Sequence, residues 1–207
     1  MDTRAQWESV GASFDHARHD AWAPVARFLA ERAAPGARVL DLACGNGRQS
    51  GGADGVVGLD FSRPLAKAAR ARGLDVVLGH ARHLPFRSAS FDLALFVAAL
   101  HVVPGRAARL DALANLRRVL KPSASALVTV WARPQDSWLG RVMRDAGFGS
   151  VDTTVPWGGV ERYYHFYTRP ELRADLRAAG FRVDALDAVS VSRARDLPDN
   201  YVAVVRP

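Results

Sequence analysis

The run Val39-Leu40-Asp41-Leu42-Ala43-Cys44-Gly45-Asn46-Gly47, followed by Val56-Val57-Gly58-Leu59-Asp60, constrains the fold more than any other stretch of the chain. It reads as a buried strand, a glycine turn and a second strand that ends in a carboxylate. Such a unit brings backbone close to a nucleoside cofactor and sets an acid where ribose hydroxyls lie. Gly45 and Gly47 lack the Cβ that would block the approach. Asp60 can accept two hydrogen bonds from a ribose diol. A dinucleotide-binding turn wants glycine or alanine at its third small position, opening a long helix over the pyrophosphate, and Ser50 stands there instead. Asp60 follows Gly45 by only fifteen positions, and Gly51, Gly52 and Gly55 within that interval oppose a long helix.

Strand and helix signals alternate along the rest of the chain. Helices are expected over 21–33, with Trp22, Val25, Phe28 and Leu29 on one side, over Arg63–Arg72, and over Ala107–Leu120, which Pro122 stops. A further helix is expected over Pro170–Ala179, with Pro in its first turn and Gly180 after its end. Strands are expected at Ala37–Leu42, Gly55–Asp60, Leu74–Leu78, Phe91–Phe96, Ala124–Trp131, Phe181–Val189 and Tyr201–Val205. Phe91–Phe96 is apolar at nearly every position, as a strand covered on both faces must be. The stretch Pro134–Gly159, rich in Gly, Pro and Trp, reads as irregular. The alternation predicts an α/β, doubly wound sheet in one domain over 1–207.

Composition narrows the setting. No apolar run approaches the roughly twenty residues that cross a membrane, and no basic-then-apolar leader opens the chain, so cytoplasm is the expected location. Cys44 is the sole cysteine, which leaves no intramolecular disulfide or cysteine-rich zinc site. Net charge is +7, carried almost wholly by arginine, since Lys67 and Lys121 are the only lysines. Arginine gathered on one face would suit a polyanion such as RNA.

A strand, glycine turn, strand and acid with a leading Asp41 and a Cys-Gly-Asn-Gly turn resembles the first two motifs of class I S-adenosylmethionine (SAM)-dependent methyltransferases. Leu84-Pro85-Phe86 and Ser90-Phe91-Asp92 also match that pattern. The resemblance implies a Rossmann-like seven-stranded sheet with an antiparallel last strand, and SAM as cofactor. It assigns the cofactor to Asp41, Ala43, Gly45, Asn46 and Gly47, then to Asp60 and Phe61, to His80, Ala81 and Arg82 after the third strand, and to Phe96 and Val97. His80 departs from the pattern, standing where a carboxylate normally accepts from the adenine amino group. A neutral histidine can accept through one ring nitrogen.

Four stretches resemble one family more closely, the enzymes that methylate the carboxyl group of 5-carboxymethyluridine at the tRNA wobble position. They are Phe14-Asp15-His16-Ala17-Arg18 running on to Trp22-Ala23-Pro24-Val25, Cys44-Gly45-Asn46-Gly47-Arg48, Val130-Trp131-Ala132, and Pro156-Trp157 with Arg162-Tyr163-Tyr164-His165. Asn200-Tyr201 matches as well. The resemblance implies tRNA as substrate and a small zinc-binding activator protein as partner, covering an apolar surface and strand edge. It places Arg18, His101, Arg162 and His165 at the reacting carboxylate, and Arg18, Trp131, Tyr163 and Tyr164 against the substrate base, with no metal in this chain. Where that family carries paired histidines, this chain has His101-Val102.

A carboxylate acceptor is ionised near neutral pH and needs no general base, only a cradle that orients it. Carbon-5 methylation of a pyrimidine needs a cysteine nucleophile, and Cys44 is committed to the cofactor turn. No Asn-Pro-Pro-Tyr or Asp-Pro-Pro-Tyr follows the fourth strand, which weighs against amine methylation. Two other readings stay open: a small-molecule acceptor such as a quinone or metabolite acid, and a catalytically silent SAM-binding scaffold.

Overall fold

A computed structural model of the chain describes residues 3–17, 20–50, 53–132, 152–190 and 200–207. In chain order these form α1 (Thr3–Ala17), α2 (Ala23–Arg32), β1 (Val39–Leu42), β2 (Val56–Asp60), α3 (Arg63–Ala71), β3 (Asp75–Leu78) and β4 (Phe91–Val97). A short 3-10 turn (Leu100–Val102) leads to α4 (Arg106–Val119), β5 (Leu120–Trp131), β6 (Asp152–Trp157), β7 (Val160–His165), α5 (Arg169–Ala178), β8 (Arg182–Val189) and β9 (Asn200–Arg206).

The seven-stranded sheet has the order β3-β2-β1-β4-β5-β9-β8. Strands β1 to β5 run parallel, and β9 lies antiparallel between β5 and β8. The strand order reverses between β1 and β4, which is where doubly wound sheets bind ligands. Alternate residues supply two separate cores. Leu40, Leu42, Phe96 and Val128 pack under α4 and α5, with Leu113, Leu116 and Leu172. Val39, Leu93, Leu95 and Leu127 pack under α2 and α3, with Val25, Phe28 and Ala69. Each fully buried leucine contributes about 1.5–3 kcal/mol.

The Asn-Gly segment between β1 and β2 forms turns and no helix among the described residues, as its glycines predict. Two elements were not read from the sequence. Helix α1 has a weak apolar stripe and is held by tertiary contacts: Ser62 Oγ donates to the Trp7 carbonyl (3.2 Å), and Gly11 passes so close to Pro64 that a Cβ would approach within 2.9 Å. The second is the β6–β7 hairpin, which includes residues 152–157 of the stretch expected to be irregular. Its turn is Gly158-Gly159, both at positive φ (57° and 80°), the backbone that two-residue hairpins demand. The remainder of that stretch, to residue 151, lies outside the described residues.

Candidate functional site

The C-terminal ends of β1, β2 and β4 open onto a cavity of about 420 Å³, within the size range of small-molecule and cofactor sites. Beneath it lies Asp41, 1% exposed, whose carboxylate accepts from Ser50 Oγ at 2.6 Å. Burial pushes Asp41 up to about 7, with the Ser50 hydroxyl opposing and the nearby Asp60 adding. Asp60 closes β2. Its two oxygens accept from the backbone N–H of Gly45 and of Ser62, each at 2.8 Å. Burial raises it to about 6 against the pull of those N–H groups.

Two glycines of the turn serve different ends. Gly45 sits at φ 57°, and a Cβ there would meet no protein atom: it would stand in the open cavity. Gly47, at φ 77°, instead lets α3 close in, since a Cβ would lie 3.1 Å from that of Ala69. Gly58 plays the same packing part against Cys44, whose thiol is buried and pushed well above its ordinary range.

Of the residues expected at the cofactor, Asp41, Ala43, Gly45, Asn46, Asp60 and Phe61 line the cavity. His80, Ala81, Arg82, Phe96 and Val97 line it too, while Gly47 stands behind it. A glycine cradle with an open face, a buried acid at the end of β2 and an aromatic wall at Phe61 have the chemistry that fits SAM. The sequence reading missed the other wall: Thr3, Arg4 and Trp7 of α1 line the same cavity. Ala98 and Ala99 beyond β4 also line it, and no motif marked them. The site loop around Arg82 is anchored, since Asn115 Nδ2 donates to the Arg82 carbonyl (2.8 Å) and Arg118 to that of Leu84 (2.9 Å).

Beside the cavity, past the 3-10 turn, lies an aromatic and cationic cluster. Trp131 stacks on Tyr164 with ring centroids 4.5 Å apart, and His101 stacks on Trp131 at 5.3 Å. His101 Nδ1 accepts from the Trp131 backbone N–H at 3.3 Å. Burial, with His165 and Arg162 nearby, lowers His101 to about 3, so its ring is neutral. The guanidinium of Arg162 lies over Trp7 (5.0 Å), Trp157 (5.2 Å) and Tyr164 (5.2 Å). Trp7 thus belongs to both the cavity wall and this cluster.

Strand alternation divides the Arg-Tyr-Tyr-His run between two faces of β7. Arg162 and Tyr164 join His101 and Trp131. Tyr163 and His165 turn away: the Tyr163 hydroxyl donates to Asp152 at 2.5 Å, while Arg109 reaches the same hydroxyl at 3.5 Å. His165, 2% exposed, is held between Asp152 (Nδ1, 2.7 Å) and Glu171 (Nε2, 2.8 Å). Both its ring nitrogens are engaged, and it does not line the cofactor cavity. Arg18 lies outside the described residues. Among those residues no cluster of His, Cys, Asp and Glu could hold a metal ion, and no helix is long and apolar enough to cross a membrane.

The reversal of strand order, the glycine cradle and the carboxylate at the end of β2 define a Rossmann-like nucleoside-cofactor site of the methyltransferase kind. Residues 40–128 match the profile of the methyltransferase domain family. A protein of Encephalitozoon cuniculi named as a methyltransferase is 36% identical over 181 residues, covering 86% of this chain and 85% of that one. The tRNA (carboxymethyluridine(34)-5-O)-methyltransferase of Arabidopsis thaliana is 35% identical over 132 residues, 63% of this chain, but the chain spans only 32% of its length. A solved methyltransferase from Haloferax volcanii, in complex with the Trm112 methyltransferase activator, shares the fold at TM-score 0.70 and 19% identity, covering 99% of this chain and 97% of that one. The chain belongs to the class I SAM-dependent methyltransferases, in one family with these sequence relatives. Its methyl donor is SAM.

Proposed function

We propose that the chain methylates the carboxylate of 5-carboxymethyluridine at the tRNA wobble position. The observation that carries this reading is the cluster beside the cofactor cavity. There a buried arginine, a neutral histidine and stacked aromatic rings meet at the end of β5. Stacked rings give an unpaired base a platform, and a guanidinium matches a carboxylate. The naming of the Arabidopsis relative supports the same acceptor, and the excess of basic residues suits tRNA.

Bound SAM would supply an electrophilic methyl on sulfur: an O–C bond from the carboxylate forms in line as the S–C bond breaks, and the thioether leaves with the electron pair. No proton is lost, so the chain needs no base. Its work is positioning. Arg162 orients the carboxylate, and half-buried Trp131, backed by the buried Tyr164 ring, presents its ring face to the uracil. His101, neutral with Nδ1 already accepting, offers its Nε2–H to the acceptor. On this reading Tyr163 and His165 hold β7 in place and do not touch substrate. A small zinc-binding activator is the proposed partner. It would cover the outer strand β3, where Leu78 is 45% exposed.

The test is transfer of labelled methyl from SAM to tRNA carrying 5-carboxymethyluridine, with and without the activator, nucleosides being resolved by mass spectrometry. A methyl ester on the wobble uridine supports the proposal. SAM binding without transfer overturns it in favour of a small-molecule acceptor, and absence of SAM binding even with activator favours a silent scaffold.

A further inference from the structure

The base end of the cofactor cavity presents a hydrogen-bond donor where a carboxylate acceptor was the pattern. Asp60 marks the ribose, so the attached purine extends toward β3, the next strand outward. There it meets Phe61 and His80, whose rings are near parallel (19°) with centroids 5.7 Å apart. The backbone N–H of Arg82 donates to His80 Nδ1 at 3.1 Å. A nitrogen that accepts a hydrogen bond carries no hydrogen, so the imidazole hydrogen is on Nε2, and the ring's one acceptor is already used. Burial, together with Arg82, His83 and Arg4, holds His80 below its ordinary range, in keeping with a neutral ring. The cavity is therefore lined here by a ring whose remaining hydrogen-bonding group is a donor, Nε2–H.

We propose that His80 reads the purine with this donor, so that the site does not select for the 6-amino group and accepts the 6-oxo form of the cofactor. The 6-amino group of adenine is itself a donor and cannot pair with Nε2–H. A 6-oxo group is an acceptor and can. The carbonyl would gain the hydrogen bond that the amino group cannot make. The exposed position of His80 leaves the amino group of adenine free to stay in water, so adenine is tolerated rather than preferred. The inference concerns the cofactor alone and holds whichever acceptor the enzyme methylates.

Calorimetric titration of S-adenosyl-L-homocysteine and S-inosyl-L-homocysteine tests this without any methyl transfer. For the native chain the two dissociation constants should lie within about threefold, the margin of a single neutral hydrogen bond. In His80→Asp, which can only accept, the adenosyl compound should be favoured by about tenfold or more. His80 lies at the cavity rim, and a thermal melt of the variant confirms that it is folded. A native chain that already prefers the adenosyl compound about tenfold, or a preference that His80→Asp leaves unchanged, overturns the proposal. Failure of both compounds to bind would overturn the placement of the cofactor and this inference with it.

Discussion

Ala43 and Ala98 leave the adjacent parallel strands β1 and β4 in the same left-handed conformation, with φ of 56° and 52°. Both line the cofactor cavity. For a residue with a Cβ that conformation costs about 1–2 kcal/mol. The Ala98 N–H is locked onto Thr129, on both its hydroxyl (2.9 Å) and its carbonyl (3.1 Å), which holds the strained turn. Ala98→Gly should be neutral or stabilise by up to about 1 kcal/mol, while Ala98→Val should cost about 1–3 kcal/mol. Urea denaturation of the two variants decides it; equal effects would mean that the turn carries no strain.

Removal of the ribose acid should act on the cofactor. Asp60→Ala is expected to weaken SAM binding by about 2–4 kcal/mol through loss of a charge-assisted hydrogen-bond pair. A calorimetric titration showing native affinity would displace the ribose from Asp60.

The buried acids predict a pH dependence of stability. Asp41 rises from 3.8 to about 7 on folding, so the folded chain binds the proton more tightly than the unfolded one. The stabilisation is full below about pH 4 and is lost as pH climbs through 7. Asp41→Asn keeps an acceptor for Ser50 and removes the titration, so its stability should fall less steeply between those limits. Asp60, at about 6, adds to the same slope. With Asp60 proposed to accept from the ribose as a carboxylate, SAM affinity should strengthen as pH rises through that value. Chemical denaturation and titration across the range measure both, and parallel curves for native and Asp41→Asn would remove Asp41 from the account.

Arg162→Lys separates charge from planar stacking. A lysine keeps the cation but not the fork or the flat face over three rings. Methylation of tRNA should fall about tenfold or more in kcat/KM, with SAM affinity within about twofold of native. Equal loss of both would place Arg162 on the cofactor side.

Glu171 holds His165 and also completes the capping box of α5 with Thr168. Glu171→Ala should therefore lower stability by about 1–2 kcal/mol and leave SAM affinity intact. A thermal melt beside a titration distinguishes this from a catalytic role for the His165 clamp, which would instead reduce methyl transfer at unchanged stability.

The parallel strands could be read because double burial writes continuous apolar runs such as Phe91–Val97. The cofactor turn could be read because backbone approach to a ligand restricts residue type at Gly45 and Asp60. Helix α1 could not. Its lasting contacts, at Trp7 and Gly11, are to segments more than fifty positions away and leave only a weak stripe in the local pattern. Strand β6 hid for a related reason: Thr153, Val155 and Trp157 are only half-buried, so its alternation is faint, and its Gly158-Gly159 turn reads with the rest of that stretch as irregular. Without that hairpin the Arg-Tyr-Tyr-His run has no strand phase. The division of Arg162 and Tyr164 from Tyr163 and His165 was therefore invisible in one dimension.

The ties of α1 bear on kinetics. Trp7, Glu8, Gln6 and Ser13 reach Ser62, Arg63, Tyr163 and Trp157 through single hydrogen bonds of 3.0–3.5 Å. Even with the Arg162 guanidinium over Trp7 and Gly11 packed on Pro64, a helix tied at the edge by such bonds is expected to detach in local unfolding before the central strands do. Since Thr3, Arg4 and Trp7 wall the cavity, lifting of that helix would open it to solvent. Amide exchange of α1 would report that opening, and slower exchange in the presence of S-adenosyl-L-homocysteine is the expected outcome. Pinning the helix more firmly would hold the cofactor tighter and slow each turnover.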